Sequence, residues 1–355
     1  MIRTICSTFP FMVCLCWFVT FMWHFRRNDT AKRVLTLFLG TCTVLYLCHA
    51  FYFNGGLAHW ANCLWALCSL SVYPLYYIYI THLTCHPLTN VRTLLCLLPA
   101  TLVALAMFLF PGPESEMARK LLFAIQVFVV LYVGHRRLQA FDKEVANVYA
   151  DTEGRDTMAV NKLLLAFVAT SLLSAVANVV GKQNAAASEW LVGVLVVFGL
   201  LLHALSFIGY SRSFTIEQYH LDTEEDDNTL PNASPADDGT LGRKIEQLTV
   251  NHYFLNKNLK ITDLAREVGS CRTYVSQYIN NTYGCSFSDY VNMRRIEYAK
   301  QLLQDQPHMK MSTVADASGF SNEQAFYRNF KKLCGMTPSE WQEKENRQAV
   351  HTHLT

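Results

Sequence analysis

Residues 311–341 read MSTVADASGFSNEQAFYRNFKKLCGMTPSEW, and the punctuation of this stretch decides the fold of the last third of the chain. Val314 and Ala315 give a first helix its apolar side, and Ala315 is small enough for another helix to cross close by. Gly319 supplies a turn, because a residue without Cβ adopts positive φ at little cost. Ser321, with Gln324 three residues later, predicts an N-cap and a capping box for a second helix. Phe326 and Phe330 lie four apart on one face of it. Asn322, Glu323, Gln324, Tyr327, Arg328 and Lys331 then face outward. Gly335 ends that helix, and Thr337-Pro338-Ser339-Glu340 starts a third with a cap, a first-turn proline and an acid.

Two helices joined by a short glycine turn form a helix-turn-helix, whose second helix can fill a major groove. The same residues also suit a small helical core with a solvated polar face. Working upstream, the pattern recurs. Residues 261–268 carry Leu264, Ala265 and Val268 on one side, Gly269 makes a turn, and 271–283 present Val275 and Ile279. Residues 284–290, GCSFSDY, mirror 335–341, GMTPSEW, so the block is an internal duplication. Between the copies, 287–303 predict one long helix with Ile296, Ala299, Leu302 and Leu303 inward. A helix over 242–251, burying Ile245 and Leu248, opens the block.

Val314-Ala315, Gly319-Phe320-Ser321, Phe326, Arg328, Phe330-Lys331-Lys332, Gly335 and Thr337-Pro338 resemble the second helix-turn-helix of the AraC/XylS family of bacterial transcription regulators. The resemblance covers residues 241–345. It implies two helix-turn-helices held apart by the long helix, with recognition helices entering major grooves ~34 Å apart along double-stranded DNA. By this resemblance Arg272, Thr273, Ser276 and Gln277 read bases in the first copy, and Asn322, Gln324, Tyr327 and Arg328 in the second. The chemistry agrees, since Arg pairs bidentately with guanine and Asn or Gln with adenine. Lys331 and Lys332, a turn later, suit phosphates. The first copy departs from the family pattern. Cys271 stands where a capping Ser is usual, with Ser270 beside it as a substitute cap. Ile279-Asn280-Asn281 replaces Phe-Lys-Lys, so the second copy is expected to supply more of the affinity. RNA polymerase and a second copy of the chain are further candidate partners.

The first block differs in kind. Spanning a bilayer as a helix takes about twenty apolar residues. Seven stretches qualify: 5–25, 34–53, 58–80, 91–110, 118–133, 160–180 and 190–207. The fifth is the weakest, pinched by Lys120 and Arg136. The first reads as a retained helix, because Arg26-Arg27 and no small-residue cleavage site follow it. Arg26, Arg27, Lys32, Arg33, Arg92, Arg136, Arg137, Lys143, Arg155, Lys162 and Arg212 fall on one side of the spans. By the positive-inside rule that side is cytoplasmic, with the N-terminus outside and the C-terminal block within; the resemblance to bacterial regulators implies that the membrane is the bacterial inner one.

Nine of the twelve cysteines lie in or beside these stretches without metal-site spacing, and read as small apolar residues. Cys271, Cys285 and Cys334 are expected as reduced thiols. His49, His203, Asn62, Gln126 and Asn178 are polar at depth, as expected for hydrogen bonds between helices. No catalytic, metal-ligand or phosphate-loop motif occurs, so no enzyme activity, metal or cofactor is expected.

The resulting expectation is an all-α chain: a polytopic bundle of about seven spans over 1–211, a linker over 212–240, a double helix-turn-helix over 241–345, and a tail over 346–355. The linker holds Arg212 against eight Asp and Glu, whereas residues 240–355 carry 15 Lys and Arg against 11 Asp and Glu. The linker composition cannot bury a core. The inner segment 135–159 reads as a solvated polar loop, and the C-terminal block as self-contained. The leading reading is a membrane-bound transcription regulator sensing a signal in or at the membrane. The alternative gives the spans a receptor or transport activity of their own, with transcription as an output.

Overall fold

The computed structural model describes residues 2–23, 29–55, 59–180, 185–211, 219 and 238–352. Among them the regular structure is helical, apart from a single β-bridge between Tyr149 and Lys260. The chain divides into two units, Met1–Phe141 with Thr157–Ile216, and Asp142–Asp156 with Glu217–Thr355.

The first unit is built on α1 (Ile2–Trp23), α2 (Thr30–Gly55), α3 (His59–Leu83), α4 (Asn90–Leu109), α5 (Pro113–Val148), α6 (Met158–Val180) and α7 (Ala185–Ser211). Each overlaps one of the seven apolar stretches. Among the described residues five helical segments are long and apolar enough to cross a membrane: Thr30–Phe51, His59–Leu83, Asn90–Leu109, Pro113–Val148 and Gly193–Ser211. Within the described residues Thr8–Trp23 and Met158–Leu173 are apolar but shorter. Helix α3 runs through the interior, where Tyr73, Tyr76 and Tyr79 pack among Phe38, Leu39 and Phe167. Helix α4 instead turns Leu94, Leu98, Leu102, Leu105 and Phe108 outward, an apolar surface suited to lipid. Two of the deep histidines pair as expected. The Trp17 indole N–H donates to His203 Nδ1 at 3.0 Å, and that of Trp65 to His49 Nε2 at 3.2 Å. The side chain of Asn178 lies outside the described residues.

The segment 135–159 is not a solvated loop. Helix α5, expected to be the weakest of the spans, is 36 residues long and continues to Val148. Leu138, Phe141, Val145 and Val148, spaced three, four and three apart, form a buried stripe along it. Arg136 and Lys143 occupy the exposed side and disguise that stripe in the sequence. From Asp142 to Asp156 the chain belongs to the second unit.

The expected linker lies outside the described residues, except Tyr219 and residues 238–240, which already form the first turn of the next helix. The second unit continues with α8 (Asp238–Val250), a 3-10 turn (Tyr253–Leu255), α9 (Ile261–Val268), α10 (Arg272–Tyr283), α11 (Phe287–Asp305), α12 (Met311–Ala317), α13 (Glu323–Cys334) and α14 (Pro338–Thr352). Residues 346–352, expected as a tail, prolong α14.

Two cores share α11. Its first half gives Phe287, Tyr290 and Val291 to a lobe with Ile245, Leu264, Ala265, Val275 and Ile279. Its second half gives Ile296, Ala299 and Leu303 to a lobe with Val314, Ala315, Phe320, Phe326 and Phe330. Between them sits Arg295, only 1% exposed. Its Nε donates to the Phe254 carbonyl at 2.8 Å and its Nη2 to that of Asn256 at 2.7 Å. Burial pushes the Arg295 pKa down to about 10, opposed by the Asp151 carboxylate, so the group is a cation at neutral pH.

The second unit includes a segment from outside the C-terminal block. Ala150, fully buried, belongs to the first core. Its N–H donates to the Leu259 carbonyl at 3.0 Å, and its own carbonyl accepts from Ser288 Oγ at 2.8 Å and Asn292 Nδ2 at 3.4 Å. Sequence patterning missed this because one Tyr-Ala pair on an extended segment carries no periodic signal.

Candidate nucleic-acid interface

Each turn of the duplicated motif uses glycine as the sequence requires. Gly269 and Gly319 adopt φ of 67° and 80° between the paired helices, and Gly284 and Gly335, at 66° and 74°, end the second helix of each pair. Ala265 on α9 and Ala315 on α12 are buried at the crossings. The box at the start of α14 forms as expected. The Thr337 N–H donates to Glu340 Oε2 at 2.8 Å, and the Glu340 N–H to Thr337 Oγ1 at 3.3 Å. These hydrogen bonds hold the Glu340 carboxyl below the usual carboxylate range.

The caps of the two candidate recognition helices differ from expectation. On α13 the cap is Asn322 and not Ser321, with Asn322 Oδ1 accepting from the Ala325 N–H at 2.8 Å. On α10 Cys271 holds the cap position without a side-chain hydrogen bond. Ser270 does not substitute, because it is buried and its hydroxyl finds no partner among the described residues. A thiol is a weak acceptor, so α10 starts with its first N–H groups unaided by a side chain.

The outward faces carry the expected residue types. Thr273 and Gln277 are exposed on α10, with Arg272 and Ser276 half-buried beside them. Gln324 and Arg328 are exposed on α13, and Tyr327 is half-buried with its ring 5.8 Å from that of Phe326. Asn322, Glu323, Gln324 and Tyr327 line an open depression at the N-terminal end of α13. Lys331 and Lys332 are both exposed, and Lys332 Nζ also pairs with Asp289 Oδ1 on α11 at 2.5 Å. Lys257 and Asp316 form a further ion pair, from the stretch before α9 to α12. Neither pair was legible in the sequence, where the partners stand far apart. Asn322 is also engaged from outside the motif, as its Nδ2 donates to Glu153 Oε2 at 2.7 Å.

Residues 264–344 match the helix-turn-helix domain family. The HTH-type transcriptional regulator ExsA of Pseudomonas aeruginosa is 33% identical over 93 residues, which are 26% of this chain and 33% of that protein. The probable transcription factor PqrA of Proteus vulgaris is 28% identical over 100 residues, 28% of this chain and 81% of that protein. YtdP of Bacillus subtilis, named as an uncharacterized HTH-type transcriptional regulator, is 31% identical over 94 residues, 26% of this chain and 12% of that protein. The similarity therefore spans about a quarter of this chain and less than two thirds of YtdP and ExsA. No solved structure matches the chain. The C-terminal part of this chain is an AraC-type helix-turn-helix domain, similar over that part to transcriptional regulators of the same family.

Proposed function

We propose that this chain is a membrane-bound, one-component transcription regulator that binds double-stranded DNA through α10 and α13. The observation that carries the reading is the pair of polar helix faces, Thr273 with Gln277 and Gln324 with Arg328, on two lobes that share α11. A helix of that length spans about 28 Å, comparable with one turn of duplex between successive major grooves. The apolar helices of the first unit support a multi-pass anchor. The excess of Lys and Arg on one side supports a cytoplasmic C-terminus. Sensing of a signal among those helices, homodimerisation and contact with RNA polymerase belong to the same reading.

The test begins with a footprint of the full-length chain on genomic DNA and continues with two variants on the operator found. Arg328→Ala is expected to cost ~1–3 kcal/mol and to relax preference at one base pair. Lys331→Ala is expected to weaken all sequences alike and to lower the salt slope by about one. Equal, sequence-blind losses would reduce Arg328 to a phosphate contact.

Topology has its own measurement. Seven crossings place the termini on opposite sides. A C-terminal fluorescent reporter is expected to glow inside the cell, and a cysteine added at the N-terminus to react with an impermeant label from outside. Two cytoplasmic termini would overturn the seven-span arrangement.

A further inference from the structure

The segment Asp142–Asp156 is the feature of the second unit that DNA binding by the helix-turn-helices does not use. Its docking is built, not incidental. The Tyr149–Lys260 bridge and the three hydrogen bonds of Ala150 seat it against the first lobe. Arg155 stacks its guanidinium 4.5 Å from the centre of the buried Tyr149 ring. The Arg155 Nη1 also donates to the Asp151 carbonyl at 3.0 Å, and the Glu153 N–H donates to Asp151 Oδ1 at 3.0 Å. A tight turn with Gly154 at φ 73° folds the segment back on itself. This geometry delivers the Glu153 carboxylate to the Nδ2 of Asn322, the residue that caps α13.

The N-terminus of a helix attracts anions through its free N–H groups and its dipole. On a recognition helix that end also approaches the negatively charged duplex. A carboxylate already seated there repels phosphate and occupies the Asn322 amide. We infer that Asp142–Asp156 is an internal ligand of the DNA-binding unit, docked through Ala150, whose Glu153 competes with DNA for the start of the second recognition helix. This inference rests on the DNA-binding reading proposed above. The segment continues helix α5 at one end and precedes α6 at the other, so a signal received by either helix has a covalent route to it.

The experiment uses the full-length chain in nanodiscs and the operator defined by its footprint. Glu153→Gln removes the charge and keeps the shape. It is expected to bind that operator about three- to tenfold more tightly, the range for one partly exposed charged contact. Glu144→Gln makes the same change of charge on the last turns of α5 and is expected to leave affinity within about twofold, as a solvent-screened charge should. Hydrogen exchange of the Ala150 amide reports docking without DNA, and strong protection is expected in the wild type and in both variants. Unchanged affinity of Glu153→Gln, an equal gain for Glu144→Gln, or rapid exchange at Ala150 would each overturn the inference. Absence of any footprint for the wild type would instead remove the DNA reading, and the competition with it.

Discussion

Gly319→Ala is expected to disable the second helix-turn-helix, whereas the same change at Gly284 is expected to be mild. Both glycines have positive φ, 80° and 66°. A residue with Cβ loses roughly 1–2 kcal/mol in that conformation. The surroundings then separate the two. A Cβ on Gly284 meets nothing within 4 Å, but one on Gly319 falls 2.6 Å from the Leu255 carbonyl oxygen and 2.8 Å from Leu255 Cα. These are backbone atoms, and the carbonyls on either side of Leu255 are both held by Arg295. Overpacking at a site that cannot relax costs roughly 1–3 kcal/mol more. Gly319→Ala should therefore lose roughly 2–5 kcal/mol in all. Hydrogen exchange of the α13 amides and the footprint at its half-site are the readouts. Equal effects at Gly284 and Gly319 would show that the close approach to Leu255 does not constrain the fold.

Gly319 also marks where the sequence is legible and where it stops. Its turn, like those at Gly269, Gly284 and Gly335, follows from local chemistry, because the helix must reverse and only glycine does so cheaply. The paired phenylalanines of α13 and the apolar stretches of α1 to α7 are likewise local periodicities. What the sequence hides are arrangements that depend on a distant partner. Ser321 and Asn322 are both good caps, and the one-residue shift that selects Asn322 comes with its bond to Glu153, 169 positions away. The pairing of Lys332 with Asp289, which stands 43 positions away on another helix, is likewise invisible in the sequence. The buried stripe of α5 past Val133 is masked in the sequence because charge on the opposite face outweighs four apolar positions. Ser270 looked like a cap because nothing local indicates that it is buried.

Arg295 is the strongest case of a hidden role, since in Met293-Arg294-Arg295 it reads as one more solvated cation on a polar helix. Its neighbour Arg294 behaves that way in part, pairing with Glu246 and Glu297. Arg295 instead reaches inward at the junction of the two cores, and its guanidinium lies 5.7 Å from the centre of the Phe320 ring. Replacing a buried ion pair with apolar groups is often neutral, because both charges leave together. Here the partners are the backbone carbonyls of Phe254 and Asn256, which no side-chain substitution removes. Arg295→Met keeps the length of the side chain but leaves the Phe254 carbonyl buried without its donor, at a cost of about 1–3 kcal/mol, while the carbonyl of the exposed Asn256 loses a bond that water can replace. The relief of not burying a cation offsets part of this. A net loss of about 1–3 kcal/mol is expected, together with earlier melting of the whole second unit. Arg295→Lys, a single point donor in place of a fork, should retain part of the stability. Because α11 feeds both lobes, the loss should appear in the exchange of α10 and of α13 alike. If only one of these helices loosens, the two lobes are held together by the packing of α11 and not by its arginine.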